Sequence, residues 1–427
     1  MTEELGPRIE GAWRRSDLLF SLVAETALYE RPIRLRQPLI FYLGHLPAFA
    51  WNQVGAGALG RARFRADFDR LFERGIDPPD TGDGPDDRLA WPQVGEVRAY
   101  GERVRSELRP VLDDVRLRST LLMLLEHELM HHETLLYMLI RLPHSTKRAP
   151  RGLPPLVFDG AAPRQRVRIP EGRVELGAER GSLPFGWDNE FPACVESVPA
   201  FTIDSTAVRN RDFLEFVTAG GYEQRKLWSE EAWEWKLRRD HHVPSFWNAT
   251  PDGWTCRTLF ADVSLEQALD WPVYTTWAEA SAFALFLGRR LPTEAEFHRA
   301  AYTTPAGERR LHPWGDEEPR AEDANVGFRA WAPRPVGGSP CGASAWGVLD
   351  LVGNGWDWTS TPFAPFPGFE PMPTYRGYSA DFFDGRHFVM LGGSFATDDA
   401  LLRRSFRNWY QPLYPYVFAQ FRCVSSD

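Results

Sequence analysis

Apolar residues recur at three- and four-residue spacing through the first third of the chain and lose that period afterwards. From Ile9 to Arg141 the pattern predicts four helices, over 9–28, 37–56, 93–109 and 113–141, with a polar insertion, DPPDTGDGPDD, before the third. Helices that each carry an apolar stripe bury it against one another as an up-and-down bundle. In the fourth, Leu121, Leu124, Leu125, Leu135 and Met138 run at helical spacing. The stretch 142–168 is rich in Pro and basic residues and has no sustained period, so it reads as a domain boundary or a linker laid over the surface. From Ile169 onward strands are short, helices few and turns frequent. FTIDSTAVRNRDFLEFVTAGGY reads as a strand followed by a helix. RRLPTEAEFHRAAY reads as a helix capped by Thr293, with Glu296 three residues on completing a capping box. No internal repeat of fixed period is evident. The predicted class is α+β: a four-helix bundle over 1–150, then an irregular α+β domain over 165–427.

Composition sharpens this division. A chain of 427 residues suggests two domains, each able to bury its own core. Trp is concentrated after residue 185 and, with 35 Gly and 35 Pro, describes a loop-rich second half with aromatic cores. A net charge of −9 argues against nucleic acid or an anionic membrane as partner. The N-terminus has no apolar signal core and no run approaches the length of a membrane span, so a soluble, cytoplasmic protein is expected. Cys194, Cys256, Cys341 and Cys423 are scattered without CxxC spacing and read as free thiols, neither a disulfide framework nor a zinc cluster.

Candidate chemistry lies in LLMLLEHELMHHETLLYMLIRLP and PLIFYLGHLPAFAWN. Positions i and i+4 of a helix share a face, so His127 and His131 can present two imidazoles to one metal ion, with His45 supplied by a neighbouring helix. An HxxxH pair also occurs as hydrogen-bonded core or as solvated helix surface. The apolar neighbours turn at least one histidine inward, and a buried imidazole pair needs a reason. His132 lies on a different face and is expected at the surface or beside the ligands. Glu126, Glu128 and Glu133 are expected to be mostly solvated, with one able to hold a ligand imidazole in its tautomer.

The C-terminal half resembles the formylglycine-generating-enzyme (sulfatase-modifying factor) fold, an irregular C-type-lectin-like α+β domain. The motifs are RRLPTEAEFHRAAY, HPWGDEEP, GVLDLVGNGWDWTSTPF, GGSFAT and FAQFRCV; the N-terminal half resembles a DinB-type bundle carrying HxxxH. In this order the motifs resemble the nonheme-iron sulfoxide synthases of ergothioneine and ovothiol biosynthesis and their relative, selenoneine synthase, over nearly the whole chain. The resemblance implies His45, His127 and His131 as ligands of Fe(II), O2 as co-substrate and a substrate pocket between the domains. Three neutral imidazoles leave the ion its full charge and open positions for dioxygen, a substrate imidazole and a soft thiolate or selenolate, which suits iron better than zinc. SFRNWYQP supplies Asn408 and Trp409 where the family holds the quaternary ammonium of hercynine. Without the surrounding motif, Trp409 reads as an ordinary core aromatic.

Departures narrow the expectation. GGSFATDDALLRRSFRNW lacks the cysteine pair that formylglycine generation needs, which argues against that activity. Met130 stands where mycobacterial-type ergothioneine synthases carry a Gln that contacts the substrate imidazole. Tyr410 and Tyr414 stand where those enzymes hold gamma-glutamylcysteine with an Asp and an Arg. A family tyrosine that delivers a proton or hydrogen atom falls near GFEPMPTYRGYSADFFDG, with Tyr375 and Tyr378 as candidates; packing on a loop with a backbone-bonded hydroxyl is the other reading of both. Three functions compete. The first is C–Se or C–S bond formation on hercynine, with a selenosugar favoured as donor over a thiol. The second is an ergothioneine- or ovothiol-type synthase using a cysteine-based donor; the methyltransferase domain that often follows in the ovothiol branch is absent from this sequence. The third is a non-catalytic binding module, against which the intact set of three histidines argues.

Overall fold

The structure is a computed structural model describing residues 4–73 and 91–426; the polar insertion at 77–87 lies outside the described residues. The chain divides into two compact units, Met1–Gly152 and Leu153–Asp427. The first contains α1 (Gly6–Ser21), α2 (Leu39–Ala50), α3 (Ala66–Leu71), α4 (Val94–Leu108) and α5 (Arg118–Leu139). Helix α1 packs on α5, and α2 on both α4 and α5.

Local chemistry explains where these helices begin and end. Pro7 occupies the first turn of α1, where a missing N–H costs nothing, and the Gly6 N–H donates to Asp113 Oδ1 at 2.9 Å. At the start of α4 the Gln93 N–H donates to Glu96 Oε2 at 3.2 Å. The predicted 113–141 helix starts only at Arg118, because the Asp114 side chain accepts the Arg116 N–H and holds a separate turn over Val115–Leu117. The Lys147 ammonium donates to the Leu139 and Ile140 carbonyls at 3.2 and 3.3 Å, covering the C-terminal end of α5.

Two features depart from the predicted pattern. Pro47 lies inside α2 and has no N–H to give, the Trp51 N–H is shared by the Ala48 and Pro47 carbonyls, and the helix widens into a π-helix over Trp51–Ala58. The six-residue α3 has no amphipathic period to announce it. Tertiary contacts hold it: the Tyr100 hydroxyl donates to the buried Asp69 Oδ1 at 2.7 Å, and Arg63 Nη1 lies 3.3 Å from Asp69 Oδ2.

Among the described residues the C-terminal unit combines short strands and four α-helices, as the α+β expectation has it. Phe201–Asp204 pairs antiparallel with both Arg166–Ile169 and Val424–Ser426, joining the start and end of the unit. A second sheet runs in the order Asn408–Tyr410, Phe388–Leu391, Trp356–Pro362, Ala419–Gln420, the last pair parallel. Phe201–Asp204 is followed by the helix Asn210–Thr218. Glu294–Tyr302 carries the predicted box, with the Thr293 N–H donating to Glu296 Oε2 at 2.8 Å and the Glu296 N–H to Thr293 Oγ1 at 3.1 Å. Phe201, Ile203, Phe297, Leu351 and Val389 pack in one core. Near it Arg422 and Asp357, both 0% exposed, form a bidentate pair at 3.0 and 3.1 Å. Among the described residues no helix is long and apolar enough to cross a membrane.

Candidate metal centre and aromatic site

Helix α2 carries His45 and α5 carries His127 and His131, and one nitrogen of each of these three side chains lies within 4.8 Å of the others. The ring centroids are 5.1 Å apart for His45 and His127, 5.0 Å for His45 and His131, and 4.3 Å for His127 and His131. Backbone carbonyls set two tautomers. His45 Nδ1 is 2.8 Å from the Phe72 oxygen and His131 Nδ1 is 2.9 Å from the His127 oxygen. A carbonyl only accepts, so each ring carries its proton on Nδ1 and keeps a bare lone pair on Nε2. The third ring is set by stacking, with Phe49 parallel to His127 at 3.5 Å and 6°.

Gly44 makes the first of these contacts possible. A Cβ there would lie 2.5 Å from the Phe72 ring, so only glycine lets Phe72 close on α2 one residue from His45. The α3 segment, tied down through Asp69, delivers Phe72 at its C-terminal end.

Burial keeps these imidazoles neutral. It pushes His45 down to about 4 and His131 to about 3, and holds His127 well below the usual value. Unprotonated lone pairs therefore converge in a dry site, and the buried His127 Nδ1 meets no hydrogen-bond partner among the described residues. A cation satisfies such an arrangement, and three imidazole nitrogens suit a first-row transition metal.

Two expectations about the neighbours need correction. His132 is 0% exposed, on the α1 side of α5, with Nε2 2.9 Å from Ser16 Oγ; it is neither at the surface nor among the converging rings. Glu126 and Glu128 are buried rather than solvated, and Glu128 accepts from the Ser16 hydroxyl. A helix buried on nearly all sides has few solvated positions, and the role expected of a carboxylate in fixing the imidazole tautomers falls to the Phe72 and His127 carbonyls. Met130 precedes His131 on α5 and is half-buried.

The C-terminal unit gathers a second group of predicted residues. Asn408 and Trp409 lie on an edge strand, opposite Met390 and Val389, and the Trp409 N–H donates to Asn408 Oδ1 at 2.9 Å. Trp409 stacks on Phe363 at 4.1 Å and 6°. The preceding Arg407 is buried, paired with Glu294 at 2.9 Å and donating to the Asn189 and Ala364 carbonyls at 3.2 and 3.1 Å, so the strand is pinned from beneath. Tyr378 stacks on Trp187 at 3.9 Å and 18° and meets Trp409 edge-on at 5.6 Å, with Tyr375 at 5.8 Å from Tyr378. Tyr410 and Tyr414 stack on each other at 5.0 Å and 22°, with Tyr416 edge-on to Tyr414. Phe49, Phe72, Trp187, Phe363 and the Arg407–Glu294 pair were not singled out from the sequence. The one local signal was Gly44, a small residue among large ones directly before His45.

Residues 158–427 match the family described as sulfatase-modifying factor enzyme 1-like domain. A hercynine oxygenase of Mycolicibacterium smegmatis is 39% identical over 77% of this chain and 77% of its own length. A second hercynine oxygenase, from Mycolicibacterium thermoresistibile, is 40% identical over 70% of this chain and 67% of its own. Ergothioneine biosynthesis protein 1 of Neurospora crassa is 31% identical over 97% of this chain, which spans 57% of that relative's length.

Proposed function

The chain belongs to the ergothioneine-type sulfoxide synthase family, and on that premise we propose that it is an oxidoreductase joining sulfur or selenium to the imidazole ring of hercynine, with Fe(II) and O2. The observation that carries the reading is the convergence of three neutral imidazoles, two buried and one half-buried, on one point. His45, His127 and His131 would hold the iron, which when bound supplies open coordination positions and redox chemistry with dioxygen.

The remaining steps belong to the chain's own groups. The Phe72 and His127 carbonyls keep Nε2 of His45 and His131 free of protons, and burial removes proton competition near neutral pH. Asn408 and Trp409 orient the trimethylammonium head of hercynine; an indole face beside a desolvated cation contributes about 0.5–2 kcal/mol. Tyr378, rather than Tyr375, is assigned the transfer of a proton or hydrogen atom from its hydroxyl, because its ring packs against Trp409. Met130 stands beside the ligand His131 as an apolar neighbour for the substrate.

For the donor we favour a selenosugar, which makes the activity selenoneine synthesis. Tyr410 and Tyr414 form a stacked aromatic face where an acid and a base would hold an amino-acid donor. Desolvating a zwitterion there without ionic partners costs on the order of several kcal/mol, whereas sugar hydroxyls and C–H faces suit tyrosines. The names of the relatives favour a second reading, an ergothioneine-type synthase, for which the donor would be a cysteine-based thiol. A competition assay with hercynine and equal amounts of a 1-seleno-sugar, cysteine and gamma-glutamylcysteine separates them by mass spectrometry of the products. A hercynine–selenosugar conjugate joined through a new C–Se bond, from which loss of the sugar would give selenoneine, is the expected product; a preferred cysteine-derived sulfoxide overturns the selenium reading, and no iron-dependent oxygen uptake with any donor overturns both.

A further inference from the structure

Asp188 takes no part in the reading above, and its surroundings are unusual. Its carboxylate is 3% exposed, and among the described residues it forms no ion pair, with Glu190 close by as a like charge. A carboxylate kept dry without a cation is unfavourable unless its oxygens are saturated by donors. Both oxygens are taken: the Ser379 hydroxyl donates to Oδ1 at 2.5 Å and the Met372 N–H to Oδ2 at 3.2 Å.

These two donors bracket the segment carrying both tyrosines. Between them the backbone makes consecutive turns, the Tyr375 N–H donating to the Met372 carbonyl at 3.2 Å and the Tyr378 N–H to the Tyr375 carbonyl at 3.1 Å. One carboxylate thus ties the segment at its two ends. The adjacent Trp187 stacks on Tyr378, and its N–H donates to Glu190 Oε1 at 2.8 Å; Glu190 in turn is held by Arg403 and Ser405. The turn bearing Trp187 and Asp188 is therefore a fixed platform.

We propose that Asp188 is a positioning residue: its buried carboxylate holds both ends of the 372–379 segment and thereby fixes Tyr378 between Trp187 and Trp409. Both aspartate oxygens accept; an asparagine turns an N–H2 group either toward the Met372 N–H, releasing that end, or toward the Ser379 hydroxyl, replacing a hydrogen bond to a charged carboxylate by a weaker neutral one, so that at least one end is loosened. The proposal deepens the role assigned to Tyr378 and depends on that role only for its kinetic part.

The test uses the full chain labelled with 3-fluorotyrosine, the Tyr378 resonance being identified by its loss in Tyr378→Phe. In Asp188→Asn that 19F resonance is expected to shift or broaden while tyrosines distant from the segment stay in place. With hercynine and the active donor, kcat is expected to fall about ten- to a hundredfold, the scale of a lost hydrogen bond to a charged group, with KM for hercynine changed less than about threefold. Ser379→Ala releases one end only, should move the same resonance less, and carries the test if Asp188→Asn fails to fold. An unmoved Tyr378 resonance in the folded variants overturns the proposal, as does a displacement of all tyrosine resonances together, which marks a merely structural role. If the wild-type chain fails to turn over hercynine, the functional reading falls while the 19F comparison still decides the role of Asp188.

Discussion

Four imidazoles in the N-terminal unit, three of them buried and His131 half-buried, make its stability steeply dependent on pH. His45 is pushed to about 4, His131 and His132 to about 3, and His127 well below the ordinary value, in each case chiefly by burial. Folded values below the unfolded one mean that the unfolded chain binds more protons, so stability is complete above the unfolded value near pH 6.5 and is lost as pH falls toward the folded values. At pH 5.5 each histidine withdraws about 1 kcal/mol, several kcal/mol for the four together. That is a large share of a typical folding free energy of about 5–15 kcal/mol. Glu128, raised by burial, has the opposite sign and returns part of the loss at lower pH. Urea unfolding of the metal-free protein at pH 8, 7, 6 and 5.5 should show the midpoint of the N-terminal unit falling by on the order of 2 M or more. His132→Asn removes about a quarter of the dependence without touching the converging three. A midpoint constant from pH 8 to 5.5, or an unchanged dependence in His132→Asn, would mean that these imidazoles are not held neutral by burial.

Gly44→Ala places a methyl 2.5 Å from the buried Phe72 ring and should cost about 1–3 kcal/mol. Because Phe72 must move and its carbonyl holds His45, Co(II) binding measured by absorbance should weaken together with the melting temperature. Asp357→Asn leaves the 0%-exposed Arg422 without its counter-charge and should cost about 3–5 kcal/mol, read by denaturant unfolding, while the double change Asp357→Leu with Arg422→Met should recover most of the loss. Equal destabilisation by the single and double changes would mean that packing, not charge, is at stake there.

The parts of the fold readable along the chain are those in which local period and capping agree with tertiary burial. The stripes of α1 and α4 and the Thr293–Glu296 box are of this kind. The short α3 was not, because its six residues owe their conformation to Asp69 and Tyr100, which meet only in three dimensions. The π-helical turn after α2 follows from how Pro47 disturbs hydrogen bonding, which a hydrophobic pattern does not record. His127 and His131 were legible as a pair because i, i+4 spacing is a local rule that helical geometry carries into space, whereas His45, on another helix, is tied to them by no spacing. Trp187 and Asp188 were not, since their partners Tyr378, Met372 and Ser379 lie far along the chain and no spacing links them. The burial of His132 was hidden for another reason: when a helix is covered on most faces, neighbouring positions no longer divide into inside and outside.

The central claim is that His45, His127 and His131 hold one iron ion. Reconstituting the purified chain with Fe(II) under anaerobic conditions and counting bound metal by elemental analysis tests it directly, with His45→Ala, His127→Ala and His131→Ala prepared alongside. One iron per chain is expected in the wild type and a sharp loss in each of the three variants, all of them remaining folded. Full iron retained by both His127→Ala and His131→Ala would contradict it and place the metal elsewhere.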